Sequence, residues 1–163
     1  MTVRIRAARP EDHEAIARVS VAAYEADGQL KDEVPYAATL ADVESRAAAG
    51  EIYVAVDVDG TMLGAVTFVL PGSPYAELSG PGEAEFRMLA VDPVAQGRGV
   101  GEALARTCVR RADELGCEAV VICTRDFAAA AQRLYARLGF NRAPDLDWSP
   151  MPGVRLLALR LTL

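Results

Sequence analysis

Between Leu89 and Leu104 the chain reads LAVDPVAQGRGVGEAL. An apolar run ends at an Asp-Pro pair, and three glycines, Gly97, Gly99 and Gly101, follow at alternate positions. A helical pattern comes next, with Val100, Leu104, Cys108, Ala112 and Leu115 on one face. Gly116 closes it, and EAVVICT then runs nearly continuously apolar, as in a strand covered on both faces. A strand–helix–strand unit needs a crossover, and the strands so joined are parallel. This stretch commits the chain to a sheet with one parallel pair and helices packed against it.

The flanking sequence supplies mainly antiparallel partners. Val3, Ile5 and Ala7 alternate as in a strand. PEDHEAIARVSVAAYEA reads as a helix entered through Pro10 and closed at Asp27-Gly28, and 29–38 as a loop. Thr39 can cap a short helix running to Ala49. EIYVAVDVDGTMLGAVTFVL is a hairpin turning at Asp59-Gly60. Residues 71–83 carry too much Pro and Gly for a regular element, and EFRMLAV makes the fourth strand. Phe127, Ala131, Leu134 and Leu138 form a second helical stripe, 141–153 reads as polar, and VRLLALRLTL is a closing strand. The expected fold is a mixed α/β, mostly antiparallel six- to seven-stranded sheet with helices on both faces and strands 4 and 5 parallel, in a single domain over 1–163.

Composition narrows the function. The net charge is −6 and the basic residues are scattered, against the clustered basic face that nucleic acid requires. An acidic surface favours a cationic small molecule or peptide. No apolar run reaches the roughly 18–20 residues that span a bilayer, and the N-terminus MTVRIRAARPED is no signal peptide, so no membrane and a cytoplasmic location are expected. Cys108, Cys117 and Cys123 are odd in number without CxxC spacing, which argues against disulfides and zinc; each reads as a small buried hydrophobe, and no metal is expected. His13 sits among acidic residues as a solvated helix position, with no nucleophile placed beside it.

Glycines at a helix start let an anion approach unpaired N–H groups at the positive end of the helix. A Walker loop is ruled out because no lysine follows, and the dinucleotide fingerprint GxGxxG is not met, since Glu102 holds the place of its third glycine. Tight strand–helix packing is the plainer alternative. The signature Gln96-Gly97-Arg98-Gly99-Val100-Gly101, the preceding MLAVDP and the later LYARLGF resemble the GNAT superfamily of acyl-CoA-dependent N-acyltransferases, whose element order is similar over essentially the whole chain.

The resemblance implies acetyl-CoA as co-substrate. Its pyrophosphate would lie on backbone N–H groups of Gln96, Gly97, Arg98, Gly99, Val100 and Gly101, and its pantetheine beside Leu89, Ala90 and Val91 of strand four, which would splay from strand five. The loops 29–38 and 71–83 would wall the acceptor side. Tyr135 matches the family tyrosine that protonates the leaving thiolate, and a phenol of pKa about 10 carries that proton at neutral pH. Glu85 aligns with a strand-four glutamate that acts as base in some members, with Glu83 as the alternative; regular alternation would point Glu85 where Leu89 and Val91 point. Where many members carry asparagine, seven residues before the tyrosine, this chain has Ala128, leaving Thr124, Arg125 or Gln132 as replacements or the contact absent. Tyr24, Tyr36 and Trp148 are candidate acceptor contacts; Trp148 with Asp145 and Asp147 either holds a cation or pins a loop by one buried ring. The expected activity is acetyl transfer to a primary amine of a small molecule or peptide, by a monomer or homodimer. Its rivals are a non-catalytic acyl-CoA-binding or regulatory module and a nucleotide-binding domain.

Overall fold

The computed structural model describes residues 3–31 and 36–163; the centre of the expected 29–38 wall, 32–35, lies outside them. The strands are β1 (Arg4–Ala7), β2 (Glu51–Val56), β3 (Met62–Val69), β4 (Glu83–Val91), β5 (Ala119–Arg125), β6 (Asn141–Arg142), β7 (Trp148–Met151) and β8 (Val154–Thr162). The helices are α1 (His13–Ala26), α2 (Tyr36–Ala41), α3 (Val43–Ala49), α4 (Val100–Glu114) and α5 (Ala129–Arg137). The sheet runs β1-β2-β3-β4-β5-β8-β6, with β7 also on β8. β4 and β5 are parallel and every other pair is antiparallel.

Among the described residues the sheet has eight strands where six to seven were expected. The surplus is β6 and β7, two and four residues long, inside the segment read as polar. Strands that short carry too little alternation to be seen. The helix expected from Thr39 is two helices: Thr39 lies within α2, and Asp42 caps α3 by accepting from Ser45 N at 3.3 Å. Phe127 precedes α5 and is exposed, with the Arg125 guanidinium 4.8 Å from its ring centre.

Helices cover both faces. Ile16, Val19 and Ala23 of α1 and Val43 of α3 pack with Val54, Val56, Ala65 and Ala90 on one face. Leu104, Cys108 and Ala112 of α4 and Tyr135 of α5 pack with Ala84, Phe86, Val120 and Ile122 on the other. Arg46, fully buried, ties the first group together: it donates to the carbonyls of Thr39, Leu40 and Asp42 and to Ser20 Oγ. Burial lowers its pKa, yet a guanidinium remains charged, so those acceptors carry much of its compensation.

Two backbone details on β3 and β4 position the site. At Gly64 a Cβ would fall 2.6 Å from the Ala90 carbonyl oxygen and 3.1 Å from both Leu104 and Val100. The missing side chain lets the first turns of α4 lie directly on the sheet. Opposite Val66 of β3, β4 carries an extra residue: Ala65 pairs with Ala90, but Thr67 pairs with Arg87. Met88 absorbs this bulge at φ 55°, a left-handed conformation uncommon for methionine. Substituting Gly64→Ala is expected to destabilise the fold by about 1–3 kcal/mol in urea denaturation, because the nearest obstacle is backbone and cannot swing away. Unchanged stability would mean that the Ala90 carbonyl and α4 sit farther from Gly64 than these distances.

Candidate active site

β4 and β5 are paired only at Glu83–Ala119, Ala84–Val120 and Glu85–Val121. Beyond Glu85, β4 continues six residues paired with β3 alone while β5 continues to Arg125 paired with β8, so the strands splay into a wedge. The bulge at Met88 also reverses the alternation. Ala84 and Phe86 face α4 and α5, and after the bulge so do Leu89 and Val91, while Ala90 faces α1. Glu85 and Arg87 therefore point to the α1 side. The expectation that Glu85 shares a face with Leu89 and Val91 does not hold, because one inserted residue exchanges the faces of everything beyond it.

At the wide end of the wedge stands the glycine loop. Gly97 and Gly99 adopt left-handed backbone, φ 81° and 76°, and a Cβ at either would meet no atom within 4 Å. Gly99 is the N-cap of α4 and has no side chain to close it, so the first-turn N–H groups have no side-chain cap. This open cradle, positive by its helix end, fits a phosphate group. The other signature residues divide the work. Gln96 is exposed and its amide donates to the Val91 carbonyl at 3.3 Å. Arg98 lies on Asp57 at 3.3 Å. The side chain of Val100 is buried in the core, leaving its backbone for the cradle. Gly101 serves packing: a Cβ there would touch Leu134 at 3.4 Å and Val91 at 3.5 Å.

A cavity of about 530 Å³ lies in the wedge and is lined from both sides of the sheet. Its α5 side is walled by Leu89, Thr124 and residues 127–131, with Tyr135 beneath. Tyr135 packs edge-on against Phe86 and Phe140, at 5.8 and 5.7 Å between ring centres. Burial raises the pKa of its phenol, so it keeps its proton throughout the neutral range. Ala128 is the N-cap position of α5, and the side chains proposed in its place are engaged elsewhere: Thr124 Oγ1 donates to the Arg125 carbonyl, and Gln132 donates to the carbonyls of Arg125 and Asp126.

The α1 side is walled by Tyr24, Asp27, Gln29, Tyr36, Glu77, Arg87 and Cys123. Tyr24 and Tyr36 pack at 5.8 Å, and burial raises the pKa of both. Arg87 donates to Tyr36 Oη at 3.3 Å and lies 3.6 Å from Glu77 Oε2. Sequence reasoning missed Glu77, Arg87 and Cys123. Glu77 belongs to a stretch without periodicity; Arg87 and Cys123 needed knowledge of where β4 and β5 part.

Two expected residues lie elsewhere. Glu85 is 1% exposed and is absent from the cavity wall. Its carboxylate accepts from the backbone N–H groups of Glu77, Leu78 and Ser79 and from Ser79 Oγ, all at 3.0–3.1 Å. Trp148 stands on β7 outside the cavity wall, which Pro150 and Met151 of the same strand line instead. Asp147 is occupied by Arg142, Arg155 and the Ala158 N–H; the Arg142 hydrogen bond, with that N–H, lowers its pKa to about 2.

Among the described residues no group of three or more His, Cys, Asp or Glu forms a metal site, and no helix is long and apolar enough to cross a membrane. The sequence profile of the acetyltransferase (GNAT) family matches residues 14–140. An uncharacterized N-acetyltransferase of Schizosaccharomyces pombe is 31% identical over 69% of this chain and 65% of its own length. A mycothiol acetyltransferase of Saccharomonospora viridis is 31% identical over 85% of this chain and 46% of its own. The chain thus spans less than two thirds of the length of these curated relatives. A Salmonella typhimurium chain assigned as an acetyltransferase, solved with its cofactor acetyl-CoA, has a similar fold: TM-score 0.70 at 22% identity, over 100% of this chain and 95% of that one.

The thiol of Cys123 faces the same cavity, its Sγ 3.8 Å from Glu77 Oε1. Burial first, then the carboxylates of Glu77 and Glu85, push its pKa up to about 12. A thiolate is the reactive form, so Cys123 should react with iodoacetamide far more slowly at neutral pH than an unperturbed thiol. Peptide mapping of the alkylated protein checks this; rapid labelling at Cys123 would contradict it.

Proposed function

This chain belongs to the acetyltransferase (GNAT) family, and from that premise we propose that it moves an acetyl group from acetyl-CoA to a primary amine of a small molecule or peptide by direct attack, with both bound together. One observation carries the reading. The wedge between β4 and β5 joins an open cradle at the N-terminus of α4 to a cavity lined on its far side by two tyrosines and two carboxylates, Asp27 and Glu77.

The residues present suit acetyl-CoA, which supplies an activated acetyl thioester. The backbone of 96–101 would take its pyrophosphate, since a side chain at 97 or 99 would fill the open space above the loop. The edge of β4 beyond Glu85, unpaired on the β5 side, offers main-chain groups to an extended arm. Tyr135, at the apex of the wedge, holds a proton for the departing sulfur. Cys123 supports direct attack over a covalent relay, because a thiol with a pKa near 12 is a poor nucleophile.

Thiol release across a panel of primary amines tests the reading, and initial-rate patterns should intersect rather than run parallel. Tyr135→Phe should lower kcat about 100-fold while acetyl-CoA affinity by calorimetry holds. Gly99→Glu should weaken acetyl-CoA binding at least about tenfold, by strain at positive φ and like charge in the cradle. No binding of acetyl-CoA by the unaltered protein would overturn the assignment.

A further inference from the structure

We propose that Glu77 is the general base of this site and that Glu85 is the residue that positions it. The proposal rests on the acetyltransferase reading above and deepens it. Glu77 is the carboxylate on the cavity wall that lies beside Arg87, on the α1 side of the sheet, whereas Tyr135 approaches from the α5 side. A base on one side of the wedge and an acid on the other is the arrangement that amine acetylation needs.

The loop carrying Glu77 has no regular structure, yet it is clasped at both ends of the residue. Upstream, the Tyr75 carbonyl accepts from Arg87 Nη1 at 3.0 Å. Downstream, the N–H groups of Glu77, Leu78 and Ser79 converge on the carboxylate of Glu85. The Glu77 N–H itself reaches both oxygens at 3.0 Å. Glu85, at 1% exposure and off the cavity wall, accepts four loop groups on Oε1, which leaves it poorly placed to take a substrate proton. Its contribution is to fix the Cα from which the Glu77 side chain enters the cavity.

The groups facing Glu77 are Arg87 and Glu85 of β4, Cys123 of β5 and Tyr36 of α2. Burial raises its pKa, Arg87 opposes the rise and Glu85 adds to it, which brings the carboxyl nearer to neutral working pH. In the reaction Glu77 takes one proton from the acceptor ammonium. The nitrogen lone pair then forms the C–N bond as the C–S bond breaks. The sulfur takes the Tyr135 proton, and the proton lost from the new amide nitrogen returns to that phenolate. Glu77 passes its proton to solvent, so each turnover releases one proton.

Three measurements on the full chain test this, using the best amine from the panel and trifluoroethylamine, which is already neutral at the assay pH. Glu77→Gln should cut kcat at least about 100-fold for the first amine, abolish the acid limb of its pH profile, and cost much less with trifluoroethylamine. Acetyl-CoA binding by calorimetry should not change. Glu85→Gln should lower kcat about tenfold and move the acid limb to lower pH, because a neighbouring negative charge is gone. If Glu77→Gln leaves kcat within threefold, or both amines suffer equally, Glu77 is not the base. If Glu85→Gln only lowers the melting temperature, its role is structural. Failure of the unaltered protein to acetylate any amine would instead overturn the underlying reading.

Discussion

Everything in this site depends on β4 letting go of β5. Three residue pairs hold the parallel register, and then the bulge at Met88 turns β4 away. A parallel pair buried under helices on both faces is ordinarily a continuous apolar wall. Here it opens into a cavity, and the cost is a methionine in left-handed backbone together with main-chain groups on β4 that β5 no longer pairs. The bulge fixes the chemistry of the faces as well. By exchanging the faces beyond Met88 it sends Leu89 and Val91 to the α4 side of the sheet, the side that Glu85 and Arg87 turn away from.

The charges around the wedge are buried or half-buried, so each must be compensated. Glu85 is satisfied by backbone donors, and Arg87 by a carbonyl, a hydroxyl and Glu77. These contacts turn irregular segments into rigid ones. The stretch 71–83 has the composition of a wandering loop but is tied to β4 by Arg87 at Tyr75 and by Glu85 at 77–79. Glu77 joins a carboxyl pKa raised by burial to a place on the cavity wall beside Arg87, the combination a proton acceptor requires.

Much of the fold was legible because it rests on periodic signals. The hairpin at Asp59-Gly60, the α4 stripe and the apolar β5 each came from a repeat long enough to read. Thr39 was misread as a cap because Asp42, three residues on, competes for the same task, and only its bond to Ser45 decides between them. The face of Glu85 is misread by alternation for a sharper reason. Strand alternation assumes that every residue flips the face, and a bulge at a non-glycine residue leaves no mark in composition.

Sequence by itself determined the parallel crossover, the helices on both faces and the glycine loop, since these follow from local preferences of backbone and side chain. It also determined that Tyr135 stands ahead of the Gly-Phe element. Tertiary structure alone decided which carboxylate meets the cavity. Glu77 and Glu85 are eight residues apart, and both carry the same group; Glu85 is capped by three N–H groups, while Glu77 lies on the cavity wall beside Arg87 and Cys123. That difference arises from how a loop folds back on a bulged strand, a long-range geometry that no local pattern encodes.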